Sequence, residues 1–383
     1  MGKILKGQWG LSPDGVIKSD PWYLLQNNRI IQSGFGKCPD GYRIGKIGEG
    51  LILPGLVNAH THLELSVFKG KTIGGHGVHN FALSFMDLPE PEFEHRIYLA
   101  ALELKKAVSR GTFYFADIAN TPAFSKALES NSDFQGLRFL ELLGFSDPAD
   151  AKRISMAREA LLYDKEIIFA PHSVYGSSPE IFKYIASKGH RITSLHALEA
   201  QNEINLFHET GSTCDFLTQI RQYKRHAEVY KNSFVSYLEM MMKKFKKIFL
   251  VHMTYADENI IKDIAARIPQ AAVVLCFRSN EFLSCHRNNW ESIEKNWLPL
   301  LLGTDSAASC PDVSILDEVL SVIHADHLPQ SLVWKAATSN AYNYLELPVE
   351  TIPCFWYEGA TSNPLSLTGK TGIPLSNLPA IGK

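Results

Sequence analysis

Eight short apolar runs, each closed by polar or titratable residues, constrain the fold of this chain more than any other feature. Leu51–Leu65 (LILPGLVNAHTHLEL) breaks at Pro54-Gly55, resumes, and delivers His60 and His62. Phe113–Ile118 ends near Asp117 and Asn120, and Leu137–Phe145 carries Glu141. Ile167–Ala170 runs into Pro171-His172, Ile192–Leu195 into His196 and Glu199, and Ile248–Val251 into His252. Ala271–Cys276 runs into Arg278-Ser279-Asn280, and Leu300–Leu302 into Gly303-Thr304-Asp305. Between these runs, Glu92–Ser109, Ile154–Leu162, Pro179–Ala186, Tyr230–Phe245 and Asn259–Ile268 space apolar residues three and four apart, which predicts helices. Strands alternating with helices predict an α/β fold with a parallel sheet, and eight such units predict a closed (β/α)8 TIM barrel over residues 54–344. Reactive groups in that barrel stand at the C-terminal ends of the strands, where this sequence places its histidines, Glu199 and Asp305.

The two ends of the chain read differently. Turns such as Ser12-Pro13-Asp14-Gly15 and Pro39-Asp40-Gly41 punctuate short polar strands in the first 50 residues. The segment from Leu345 onward is rich in Pro, Gly and Ser. Residues 1–53 and 345–383 are therefore expected to build a small β-sandwich accessory domain together. A chain of 383 residues suits one barrel plus such a piece. A net charge of -2 lacks the basic footprint of a nucleic-acid binder. No apolar run reaches transmembrane length, and the N-terminus carries no signal-peptide core. The expectation is a cytoplasmic enzyme with a small-molecule substrate and neither a nucleic-acid nor a membrane partner. The six cysteines form no CxxC pair, which argues against a cysteine zinc site and for reduced thiols.

The histidine pair carries the chemistry. Side chains two apart on an extended segment point to one face, so His60 and His62 are either half of a metal site or two histidines capping a core strand. Six motifs in chain order resolve the choice. They are PGLVNAHTHLE (Pro54–Glu64), APHSVYGSS (Ala170–Ser178), SLHALEA (Ser194–Ala200), LVHMTYAD (Leu250–Asp257), LCFRSN (Leu275–Asn280) and GTDSAAS (Gly303–Ser309). Together they resemble the metal-dependent amidohydrolase superfamily, in its branch of aminopurine and cytosine deaminases and triazine hydrolases. The likeness extends from the N-terminal strands to about Leu345. The segment Gly211–Tyr223, with RFLELLGF (Arg138–Phe145) and SILDEVLSVI (Ser314–Ile323), resembles the aminofutalosine deaminases most, enzymes of menaquinone biosynthesis.

The resemblance implies that His60, His62, His196 and Asp305 bind one divalent ion, Zn²⁺ or Fe²⁺. It implies that Glu199, His252 and Asp305 are catalytic, with a metal-bound hydroxide expelling ammonia from an aminated purine nucleoside. Glu199 would move protons to the ring nitrogen and the leaving amine, and His252 would orient the nucleophile. Glu64, Phe81 and His172 would contact substrate. The binuclear members carry a carboxylated lysine where this chain reads Ala170-Pro171-His172, which implies a mononuclear site. Guanine, cytosine, s-triazine or cyclic-amide substrates share the same ligands and form the alternative. A non-catalytic binding relative is the third reading. Relatives are often dimers or larger, which leaves a homo-oligomer open. The chain departs from the family pattern at Val174 and Phe277, which replace prolines, and after Phe355, where the usual closing strand signature is missing.

Overall fold

The computed structural model describes residues 2–144, 147–200, 203, 233–285 and 288–378. The segment Gly211–Tyr223, Cys214 and the first residues of the 230–245 helix lie outside the described residues. The fold is mixed α/β, and the chain divides into two compact units. One comprises Met1–Asn58, Lys105–Tyr114 and Ser314–Lys383, the other Ala59–Leu104 and Phe115–Val313.

The first unit holds β1 (Lys3–Lys6), β2 (Trp9–Leu11), β3 (Ile17–Ser19), β4 (Pro21–Gln26), β5 (Arg29–Phe35), β6 (Arg43–Lys46), β7 (Gly50–Pro54), β16 (Cys354–Glu358) and β17 (Ile373–Pro374). These form a four-stranded sheet, β5-β4-β1-β6, and a five-stranded sheet, β17-β16-β7-β2-β3. Asn27 and Asn28, at φ 50° and 60°, make the two-residue turn between β4 and β5, where asparagine tolerates the left-handed backbone. Period-two alternation sorts β4: Trp22 and Leu24 pack with Ile4, while Tyr23 and Leu25 face the other way. Tyr23, Leu25 and Leu5 share one core with Ile52 and Trp356 of the second sheet. The C-terminal segment, despite its divergent sequence, pairs antiparallel with β7, Phe355 opposite Leu53 and Tyr357 opposite Leu51.

The remaining strands are β8 (Leu56–Thr61), β9 (Thr112–Ala119), β10 (Gly136–Leu142), β11 (Ile168–Pro171), β12 (Ile192–Ala197), β13 (Lys247–His252), β14 (Ala271–Leu275) and β15 (Leu300–Leu302). They lie in two four-stranded sheets, β11-β10-β9-β8 and β12-β13-β14-β15. β9, β10 and β11 pair in parallel, as do β12, β13, β14 and β15. Every residue of β8, β14 and β15 is buried, as in parallel strands covered on both faces. Three isolated parallel bridges extend the pairing among the described residues: Gly144 with Ser177, Ser173 with His196 and Thr61 with Asp305. His196 N donates to His172 O at 2.9 Å, and Thr304 N to His60 O at 2.9 Å.

Helices Pro122–Glu129, Asp147–Tyr163, Pro179–Ala186, Phe234–Met242 and Glu258–Arg267 connect successive strands. Ser178 and Asp257 cap two of them, accepting from Ile181 N and Ile260 N. The glycine-rich segment after β8, Gly74–Asp87, contains the helix Gly77–Met86, with its glycines at the start and the good helix formers Ala82, Leu83 and Met86 in its second half. One sequence reading needs correction. The helix expected at Ile154–Leu162 already starts at Asp147, since an Asp-Pro first turn carries no apolar spacing. Among the described residues no helix is long and apolar enough to cross a membrane.

Candidate metal centre

His60 is the penultimate residue of β8 and His62 follows just beyond the strand, so the two-residue spacing brings both rings to one place. Their Nε2 atoms are 3.1 Å apart. His196, near the end of β12, brings its own Nε2 within 3.1 Å of His60 Nε2. Its Nδ1 lies 3.1 Å from the carbonyl oxygen of His172. A carbonyl only accepts, so Nδ1 carries the proton and Nε2 turns a lone pair inward. Asp305 adds a carboxylate: Oδ1 stands 3.7 Å from His62 Nε2 and 3.9 Å from His60 Nε2. Its Oδ2 accepts from Ser279 Oγ at 2.7 Å and Ser309 Oγ at 3.0 Å, which fixes the carboxylate and leaves Oδ1 free toward the histidines.

These four donors could hold a metal ion. A tetrahedral site with ligands at about 2.0–2.1 Å has edges of about 3.4 Å, and the observed separations of 3.1 to 3.9 Å bracket that value. The electrostatics agree. Burial holds His60 well below its ordinary value, with His62, His196, His252 and His172 adding to the effect. Burial brings His62 down to about 4, so both rings are neutral and able to ligate at pH 7. Burial alone would raise the Asp305 carboxyl, but His62, His252, His196 and the Ser279 hydroxyl outweigh it and keep the group ionised.

Beside this cluster, Glu199, His252 and Asp305 form a second convergence. His252 Nδ1 lies 2.9 Å from Asn280 Oδ1, an acceptor that assigns the proton to Nδ1. The buried Nε2 has no hydrogen-bond partner among the described residues and stands 3.5 Å from Glu199 Oε1. Burial lifts the Glu199 carboxyl to about 7. His172 lies 4.8 Å from His196, ring to ring, and joins Glu141 and His196 in a third cluster. Three non-glycine residues here, Leu198, His252 and Asp305, have φ of 50°, 74° and 61°. Such strained backbone persists where its surroundings over-determine it and gathers at functional sites.

The structure brings together His60, His62, His172, His196, Glu199, His252 and Asp305. Glu64 is engaged elsewhere. Its carboxylate accepts from Arg96 Nη1 at 2.9 Å, Asn120 N at 2.7 Å, Thr121 N at 3.1 Å and Thr121 Oγ1 at 2.8 Å. With those acceptor positions filled, it ties the turn after β8 to the end of β9. Phe81 packs in an apolar cluster with Val67, Phe68, Phe85 and Ala308. Ser279, Asn280 and Ser309 orient Asp305 and His252, a role the sequence does not assign them, although Ser279-Asn280 closes an apolar run and LCFRSN and GTDSAAS contain all three.

The amidohydrolase family model matches residues 51–352, and the chain belongs to the amidohydrolase family. Three similarities stand beside that match. Aminodeoxyfutalosine deaminase of Deinococcus radiodurans is 27% identical over 294 residues, spanning 70% of this chain and 67% of that protein. The solved structure of Helicobacter pylori aminofutalosine deaminase in complex with methylthio-coformycin superposes with a TM-score of 0.80 at 18% identity, covering 96% of this chain and 97% of its own. An adenosine deaminase from Xanthomonas campestris with bound zinc superposes with a TM-score of 0.67 at 18% identity, covering 96% and 89%. The two structures share the fold of this chain.

Proposed function

We propose that this protein is a metal-dependent hydrolytic deaminase that releases ammonia from a 6-aminopurine nucleoside of the aminofutalosine or adenosine type. The observation that carries this reading is one buried convergence. A ligand set of three ring nitrogens and a carboxylate adjoins a carboxyl raised to about 7 and an imidazole nitrogen that has no hydrogen-bond partner among the described residues. The deaminase names of the relatives support the reaction class.

We assign His60, His62, His196 and Asp305 as ligands of one divalent ion, Zn²⁺ or Fe²⁺, and the zinc in the Xanthomonas structure favours the first. When bound, such an ion would acidify water enough to give a nucleophile near neutral pH. The chain's own groups then move the protons. Glu199, partly protonated at pH 7, donates to the ring nitrogen beside the amino-bearing carbon and makes that carbon electrophilic. His252 Nε2 accepts from the attacking water and orients it. Asp305 takes one water proton; Glu199, now ionised, takes the second from the added hydroxyl and passes it to the amino group, the C–N bond breaks, ammonia leaves, and the proton held by Asp305 returns to Glu199 for the next turnover.

We place this site in a closed (β/α)8 barrel over residues 54–344, with 1–53 and 345–383 as a β-sandwich. The bridges Ser173–His196 and Thr61–Asp305 support closing the two parallel sheets into one ring. The core shared by Leu5, Tyr23, Ile52 and Trp356 supports the sandwich. We also propose a cytoplasmic location; among the described residues Cys38, Cys276, Cys285, Cys310 and Cys354 form no disulfide.

His172 and Phe81 are the proposed substrate contacts, while Glu64 is assigned to holding its wall. His172→Ala should raise KM with metal content unchanged, read by steady-state kinetics and metal analysis. Loss of metal instead would overturn the ligand set. The reading as a whole is tested by ammonia release from a panel of aminofutalosine, adenosine, methylthioadenosine, S-adenosylhomocysteine, guanine, cytosine and a triazine. Strong release from one 6-aminopurine nucleoside is expected. Preference for guanine, cytosine or the triazine would move the substrate assignment elsewhere in the family.

A further inference from the structure

Between the ligand His196 and Glu199 the chain turns sharply, and Leu198, fully buried, takes φ 50°. A residue with a Cβ avoids that region unless its neighbours impose it. Here three successive backbone N–H groups converge on one side chain. Glu203 Oε2 accepts from Leu198 N at 2.8 Å, and Oε1 accepts from Glu199 N at 2.8 Å and Ala200 N at 3.2 Å. Glu203 is itself only 2% exposed. The carbonyl side of the turn is held as well: Thr254 Oγ1 donates to Leu198 O at 3.0 Å, and Tyr255 N donates to the same oxygen at 3.0 Å.

The three N–H donors favour a carboxylate here, against burial and the neighbouring Glu199, which push the Glu203 carboxyl up to about 8. An ionised Glu accepts on both oxygens and donates nothing, so it satisfies all three N–H groups. A glutamine of the same size accepts on one oxygen and sets its NH₂ against a backbone N–H, leaving at least one buried donor unpaired.

We infer that Glu203 is a positioning residue: its carboxylate locks the 198–200 turn and thereby sets where the Glu199 carboxyl stands relative to His252. The inference rests on the proton-transfer role proposed for Glu199. Glu203 acts only through that side chain, whose Oε1 lies 3.5 Å from His252 Nε2.

The test compares metal-replete wild type, Glu203→Gln and Glu199→Gln in ammonia release from the best 6-aminopurine nucleoside. Misplacement of a catalytic group should lower kcat of Glu203→Gln about 10- to 100-fold, with KM within about twofold of wild type. Bound metal per chain should be unchanged. A lower Tm with wild-type kcat would show a structural cap only and overturn the inference. Should Glu203→Gln not fold, Glu203→Asp serves, since it stays acceptor-only but is one methylene too short to span the turn. It should lose kcat with KM and metal kept, and wild-type kcat there would equally overturn the inference. A Glu199→Gln enzyme at wild-type rate would sink the proton-transfer role itself. Activity lost in Glu199→Gln but kept in Glu203→Gln would sink only the positioning role.

Discussion

Glu199→Gln should lower kcat by about 10²- to 10⁴-fold, the range over which a positioned proton donor contributes. The substitution keeps side-chain size and removes the carboxyl that can deliver a proton while facing His252 Nε2 at 3.5 Å. Folding and metal content should stay at wild-type levels, because Glu199 is not among the four converging ligand atoms. The pH profile sharpens the prediction. Glu199 donates in its protonated form, so the rate should fall as pH rises through its pKa. Burial places that pKa at about 7 instead of near 4.5, and the alkaline limb should therefore lie near neutrality. Steady-state ammonia release across pH checks both statements. A variant with wild-type kcat, or one that keeps the same limb at reduced rate, would contradict the role.

Asp305→Asn should remove both metal and turnover. Ser279 and Ser309 donate to one oxygen of the side chain, so the amide oxygen would take that position and turn its NH₂ toward His60 and His62. A ligand becomes a donor facing the cluster. Loss of even an outer partner of a metal ligand weakens affinity by about 10- to 100-fold, and loss of the ligand should exceed that. Loss of its second role as proton acceptor should carry the fall in turnover to about 10³-fold or more even in excess metal. Equilibrium dialysis and kinetics at saturating Zn²⁺ separate the two effects. Wild-type metal affinity in the variant would remove Asp305 from the ligand set.

What the sequence disclosed follows from burial. Strands such as Ala271–Leu275 are buried at every residue and read as unbroken apolar runs, so their ends, and the His and Asp placed there, could be located from the letters alone. The groups that aim those ligands are different. Ser279 and Ser309 are small hydroxyl residues with no periodic signature, and their use depends on where Asp305 Oδ2 happens to point. Glu64 shows the same limit in reverse. Its position after the histidine pair suggests a substrate contact, yet Arg96, Asn120 and Thr121 take its carboxylate from 32 to 57 positions away. The C-terminal strand was hidden because Cys354–Glu358 pairs with β7, about 300 residues earlier, and the family's closing signature is missing there. Local pattern reports which face a residue lies on, and a hydrogen-bond partner distant in sequence leaves no trace in it.

The most direct test of the account is ammonia release from aminofutalosine by protein stripped of metal and then titrated with Zn²⁺ or Fe²⁺. The account predicts no release without metal. It predicts a linear rise to a plateau at one metal per chain, and a product with oxygen in place of the 6-amino group. Undiminished release from the stripped protein, or a plateau reached only at two metals per chain, would contradict a mononuclear centre built from His60, His62, His196 and Asp305.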